Sequence, residues 1–209
     1  MEGNSSMEKL QSLLQGAGCA ELTTGEAESF EQYLRLFLLW NAKTNLSAVR
    51  DEDGILSRHF LESIACARQI PAGVASLLDF GSGGGFPGVP VAICRPEIAV
   101  TLAESQGKKA IFLQEVVRTL GLDAKVHARR AEELGKTFDC VTMRAVDRMI
   151  GAIALAAALV SAGGILALMS TTAEQNAMQT AAGERFHWQA ATPIPGGGAK
   201  VLLLGRKEE

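Results

Sequence analysis

Ser76-Leu77-Leu78-Asp79-Phe80-Gly81-Ser82-Gly83-Gly84-Gly85-Phe86-Pro87-Gly88 is the stretch on which the reading of the whole chain turns. An apolar pair, Leu77 and Leu78, leads to a carboxylate, Asp79, and the chain then breaks into glycines before Pro87. This pattern predicts a strand, a tight turn and the start of a helix. Glycine takes positive φ and lets backbone approach a ligand closely, and proline suits the first turn of a helix, where its missing N–H goes unused. In an open α/β sheet such a turn lies at the carboxyl end of a strand, where ligands bind. The loop is therefore expected to floor a small-molecule site.

Gly83, Gly85 and Gly88 also satisfy the GxGxxG spacing of dinucleotide sites. Asp79 separates the readings. A carboxylate beside a pyrophosphate is repelled by roughly 1 to 4 kcal/mol at ~4 Å, whereas a cationic ligand is attracted. S-adenosylmethionine carries an ammonium and a sulfonium and no phosphate, so an acid beside the turn suits it better than NAD.

The remaining composition narrows the class. A chain of 209 residues, 47% apolar and 21% charged, has enough material for one globular domain with a substantial core. Its net charge of −3 advertises no global field for nucleic acid, so an RNA-binding face must be a local basic patch. Cys19, Cys66, Cys94 and Cys140 are far apart, and with His59, His127 and His187 they offer no metal-ligand spacing. Reduced thiols of a cytoplasmic protein are the reading, with no metal. The N-terminus carries Glu2 and Glu8 and no long apolar core, unlike a signal peptide. Met149 to Met169 is uncharged and long enough to span a bilayer, but it is rich in Ala, Gly and Ser. Gly163-Gly164 is expected to divide it into a buried helix and a strand, Ile165 to Met169, so no membrane segment is expected.

Along the chain, residues 1–70 read as helices forming an N-terminal helical cap. Leu10, Leu13 and Leu14 give one stripe; Thr23 and Glu26 fit a capping box ahead of Phe30, Tyr33, Leu34, Phe37, Leu38 and Trp40. Asn41 to Asn45 reads as a turn, and Ile55, Leu56, Phe60, Leu61 and Ile64 mark a third helix. Arg50, Arg58, His59 and Arg68 accompany it, on a solvated or a substrate-facing surface. Residues 71–209 alternate strand and helix. Strands are expected at 77–80, 99–103, 124–127, 138–143 and 165–169, with helices at 87–94, 108–120, 147–160 and 172–182. A closing pair, 186–192 and 201–204, flanks a hairpin loop. Such alternation predicts an α/β fold with a doubly wound, mostly parallel sheet.

Three further positions fall at strand ends. Glu104 follows the second strand about twenty residues after the glycine turn, where an acid meets ribose hydroxyls, although it also fits an exposed loop acid. Arg130-Ala131-Glu132 follows the third strand, where the Ala131 backbone and the Glu132 side chain suit an adenine edge. Glu132 equally suits a helix N-terminus. Arg144 ends the fourth strand at the expected pocket mouth. It is a candidate ligand contact, or else part of a structural salt bridge.

This set of residues, in this order, resembles the bacterial small-subunit ribosomal RNA guanine-N7 methyltransferases, known as RsmG or GidB. The resemblance rests on Asp79 to Gly88, on Glu104-Ser105 with Lys108-Lys109, on Arg130 with Glu132-Glu133, and on Arg144-Ala145. Upstream, Asn45-Leu46-Ser47 and Arg58-His59 with Glu62-Ser63 are similar to family positions, Glu62 standing where Asp is more usual. It implies a class I methyltransferase (Rossmann-like) fold, S-adenosylmethionine as methyl donor, and cofactor contacts at Gly81, Phe86, Glu104, Ala131, Glu132 and Arg144. It further implies 16S ribosomal RNA or the small ribosomal subunit as substrate. Met169-Ser170-Thr171 departs from the family's Lys-Gly after the fifth strand.

The chemistry is compatible. Guanine N7 has an in-plane lone pair and attacks a sulfonium methyl without a general base, so no catalytic residue is assigned. No cysteine follows a proline, as cytosine-C5 chemistry would want, and Thr142-Met143-Arg144-Ala145 lacks the motif of adenine-N6 enzymes. Lys108, Lys109, Arg118, Arg129, Arg130, Arg144 and Arg148 supply a local cationic patch. A methyltransferase for a small molecule or protein is the alternative, which the net negative charge favours. A non-catalytic nucleotide-binding module and, last, a dehydrogenase complete the field.

Overall fold

The computed structural model describes residues 5–144 and 149–209. Helix α1, Ser6–Gly16, and helix α2, Thr24–Thr44, both begin with capping boxes, Ser5 with Glu8 and Thr23 with Glu26. α2 runs through the segment expected to turn. Asn41 sends its side chain into the following loop, accepting from the Ser47 N–H at 2.8 Å and donating to the Val49 carbonyl at 2.9 Å. Used in this way, Asn41 does not compete with its own backbone, and the left-handed turn falls on Asn45 at φ 52°. The third helical region is composite: α3, Glu52–Ile55, a π-helical turn at Leu56–Leu61, and α4, Glu62–Gln69.

The sheet has eight strands among the described residues. They are β1 (Ser76–Phe80), β2 (Ala99–Ala103), β3 (Ala124–His127), β4 (Phe138–Arg144), β5 (Val160–Thr171), β6 (Phe186–Trp188), β7 (Thr192–Pro193) and β8 (Lys200–Lys207). Their order is β3-β2-β1-β4-β5-β8-β6, with β7 also against β8. The first five strands are parallel, and β8 enters antiparallel beside β5. Four helices complete the fold: α5 (Gly88–Cys94), α6 (Gly107–Leu120), α7 (Met149–Ala158) and α8 (Gln175–Ala182).

Because side chains alternate along a strand, the central strands β1, β4, β5 and β8 each feed two cores. Leu77, Cys140, Ile165 and Leu202 pack on the face covered by the N-terminal helices, α5 and α6; Leu78, Val141, Leu166 and Leu203 pack on the face of α7 and α8. Phe30, Tyr33, Phe37 and Phe60 from the first 70 residues are fully buried in the first of these cores. The expected turn at Gly163-Gly164 is instead a bulge inside β5. The pairing with β4 shifts from Phe138 opposite Val160 to Cys140 opposite Ile165, and Gly163 sits at φ 70°. A side chain at Gly164 would lie 2.9 Å from the Asp139 carbonyl, so the glycines admit the neighbouring strand. No described helix is long and apolar enough to cross a membrane.

Candidate active site

The carboxyl ends of β1, β2 and β4 open into a cleft of about 800 Å³, completed by residues from the N-terminal helices. Its floor is the glycine loop. Gly85, at φ 93°, permits no side chain, since a Cβ there would stand 2.6 Å from the Tyr33 hydroxyl and 2.8 Å from Val89. Tyr33 fixes the same loop by donating its hydroxyl to the Gly84 carbonyl at 2.5 Å. Ser82 is anchored from both ends, its N–H on the Ala103 carbonyl and its hydroxyl on the Asp79 carbonyl.

Asp79 does not face the cleft, contrary to its expected part as counter-charge to a cationic ligand. It is 1% exposed, accepts the Gly88 N–H at 3.1 Å and the Thr142 hydroxyl at 2.9 Å, and burial pushes its carboxyl up to about 6. The physical reason is the tight approach of α5. A side chain at Gly88 would collide with Leu102 and with Asp79 itself, so the acid is enclosed as a brace between β1 and α5.

Gly81, Phe86, Glu104, Ala131, Glu132 and Arg144 all line this one cleft. Glu104, 6% exposed, is the buried form of the expected acid and no exposed loop residue. Its two oxygens accept the N–H groups of Gly83 at 2.8 Å and Gln106 at 2.7 Å, which aims the carboxylate and leaves lone pairs for hydroxyl donors. Ala131 and Glu132 stand in a short 3-10 turn, Ala131–Leu134, beside β3. Lys109, Arg129 and Arg130 are on the rim of the cleft, whereas Lys108 and Arg118 do not line it. Ala145 of the family resemblance, Arg148 of the expected cationic patch and Asp147, expected to start α7, lie outside the described residues.

Arg144 is tied into the wall. Its guanidinium donates to the Arg58 carbonyl at 2.7 Å, to His59 Nδ1 at 2.8 Å and to Ser63 Oγ at 3.2 Å, and it faces Glu62 at 3.5 Å. The structural salt bridge is thus formed, and the hydrogen-bonding groups expected to reach a ligand are largely engaged. Glu62, 2% exposed, also holds Lys200 from β8. Burial draws the Arg144 guanidinium below its ordinary value while Glu62 opposes that shift.

Ser47, not assigned to a site from the sequence, and His59, expected on a solvated or a substrate-facing surface, both line the cleft. His59 stacks on Phe86 with ring centroids 5.0 Å apart and meets Ser47 Oγ through Nε2 at 2.7 Å. Burial and the Arg144 charge lower its imidazole to about 3. Their contact with each other was not legible, because nothing in the local sequence brings positions twelve apart together across a turn. No group of three or more His, Cys, Asp or Glu able to hold a metal occurs among the described residues.

The family model for GidB, rRNA small subunit methyltransferase G, matches residues 26–200. The chain belongs to this family. Among GidB-family relatives, a ribosomal RNA small subunit methyltransferase G of Xanthomonas oryzae pv. oryzae is 42% identical over 160 residues, 75% of this chain and 74% of the relative. One of Xanthomonas campestris pv. campestris is 37% identical over 201 residues, 94% of both chains. The solved mitomycin 7-O-methyltransferase superposes with a TM-score of 0.62 at 13% identity, covering 99% of this chain and 73% of that one. A 16S rRNA N2 methyltransferase of T. thermophilus, in complex with AdoMet and guanosine, gives a TM-score of 0.54 at 15% identity, covering 73% and 40%. The GidB-family chain therefore has the class I methyltransferase fold and is a methyltransferase of small-subunit ribosomal RNA.

Proposed function

We propose that the cleft binds S-adenosylmethionine and presents its methyl group to N7 of a guanine in 16S ribosomal RNA, in the cytoplasm and within the small subunit or its precursor. Guanine-N7 transfer is the activity of the family to which the chain belongs. The observation that carries the residue assignment is the convergence of the glycine loop, Glu104 and Ala131-Glu132 on one cleft.

The donor set fits the cofactor. Glu104 would accept the ribose hydroxyls, for which its backbone-anchored carboxylate retains lone pairs. Glu132 and the Ala131 backbone would meet the adenine edge, and the Gly81–Gly84 backbone the amino-acid part. When bound, the sulfonium supplies an electrophilic methyl group; the protein supplies alignment and exclusion of water. Phe86, His59 and Phe37 make an aromatic wall beside the loop. His59 is too weak a base to compete for protons near neutrality, which suits a nucleophile that already has its lone pair.

The test is transfer of labelled methyl from S-adenosylmethionine to small subunits, and separately to their stripped RNA, from cells lacking this gene. Label recovered as 7-methylguanosine is the expected result. Cofactor binding, seen as a rise in melting temperature, without label in either RNA would move the assignment to a small-molecule or protein substrate.

A further inference from the structure

One hydroxyl on the cleft wall has its direction imposed from behind. Arg144 Nη2 lies 2.8 Å from His59 Nδ1. A guanidinium only donates, so Nδ1 must accept. With burial and Arg144 keeping the ring neutral, its one proton is on Nε2, 2.7 Å from Ser47 Oγ. The Val49 N–H donates to the same oxygen at 3.1 Å. Both lone pairs of Ser47 Oγ are then occupied, and its own proton meets no acceptor among the described residues while the residue lines the cleft. Ser47 is a hydroxyl that can donate and cannot accept.

We infer that Ser47 is a specificity-determining residue that donates its hydroxyl to O6 of the target guanine, an inference that rests on the guanine-N7 reading above. O6 is next to N7 on the same edge of the purine, so a donor there registers the base and leaves the N7 lone pair free. Adenine presents an amino group at that position, and two donors would face each other. A group that can accept as readily as donate, as an ordinary serine does, would not discriminate; the Arg144–His59 relay removes that freedom. The surroundings favour a base over the cofactor carboxylate as the occupant: Phe37, Leu46 and Ala48 flank Ser47, and His59 stacked on Phe86 continues a flat, apolar wall. The arrangement links Arg144 to recognition through His59, with Ser47 as the group that touches the substrate.

The experiment uses small subunits reconstituted with 16S RNA carrying either guanine or 2-aminopurine at the methylated position. 2-Aminopurine keeps N7 and the 2-amino group and lacks O6. Wild type, Ser47→Ala and Ser47→Thr are compared for kcat/KM of N7 methylation, for cofactor affinity and for melting temperature. The wild type is expected to prefer guanine tenfold or more. Ser47→Ala should lose at least tenfold on guanine and little on 2-aminopurine, with cofactor affinity unchanged, and Ser47→Thr should recover the guanine rate. An equal fall of Ser47→Ala on both bases, a loss of cofactor affinity, or a wild-type rate on guanine each overturns the inference. If Ser47→Ala does not fold, the wild type decides: equal rates on the two bases reject the role of O6. Absence of 7-methylguanosine with wild type and guanine subunits would instead reject the reading on which this one rests.

Discussion

Glu62 is almost fully buried, and an unpaired carboxylate in that position would be strongly disfavoured. Lys200 and Arg144 resolve this together, so one side chain joins α4, β4 and β8 behind the cleft. Arg144 passes the constraint to His59, whose imidazole lies at about 3 against an ordinary 6.5. The lowered value fixes the sign of its pH dependence. Below 6.5 the unfolded chain takes up a proton that the folded chain refuses, so this contribution to stability is complete above that pH. It is lost as pH falls towards 3, by about 1.4 kcal/mol per unit. Nitrogen NMR of labelled histidine should therefore show His59 as the Nε2–H tautomer with shifts unchanged from pH 8 to pH 5. Titration of this ring between pH 6 and 7 would remove the basis for a neutral relay.

At the scale of elements, α5 is held against β1 and β2 by the absence of a side chain. A Cβ at Gly88 would collide with Leu102 Cδ2 and stand 2.6 Å from Asp79 Oδ2 and 2.8 Å from Asp79 Cβ. Gly88→Ala is expected to cost about 1–3 kcal/mol in urea unfolding, the range for forcing extra volume into a packed site, and to weaken cofactor binding by shifting the loop. Gly151→Ala is the contrast. That glycine is inside α7 with nothing within 4 Å of an added Cβ, so the change should stabilise by up to about 1 kcal/mol. The ends of β1, β2 and α6 were legible because apolar runs met unambiguous breakers, such as Gly121 at φ 63° closing α6. The continuation of α2 through Asn41 and of β5 through Gly163-Gly164 was not. In both, residues that usually end an element are used by a partner outside it, the Ser47 loop in one case and β4 in the other.

Across the whole molecule, a net charge of −3 coexists with Lys109, Arg129 and Arg130 at the rim of the cleft. An acidic body with a local cationic rim predicts RNA binding that is modest and steeply salt-dependent, because each phosphate contact releases counterions. Replacing Arg129 and Arg130 together by Gln should weaken binding of small subunits across all salt concentrations. It should also reduce the slope of log affinity against log salt by about one for each phosphate contact removed. An unchanged slope in filter-binding titrations would assign the RNA contacts to another face. The apolar stripe of α2 shows the same scale at work: Phe30, Tyr33 and Phe37 read simply as core, and they are core, but Phe37 is also wall of the cleft.

The alternation of strands and helices, the glycine loop at the end of β1, and the positions of Glu104, Ala131-Glu132 and Arg144 at strand ends are written in the order of residues along the chain. These follow from periodicity, from breakers, and from the rule that a parallel sheet gathers the carboxyl ends of its strands on one edge. Tertiary structure alone decided which way the polar groups at that edge turn. Asp79 turns inward because α5 encloses it, Arg144 turns to Glu62 and His59 because burial demands partners for its charge, and Ser47 is left with one proton to give. Such choices depend on desolvation and on lone pairs shared between residues far apart in the chain, and no local pattern encodes them.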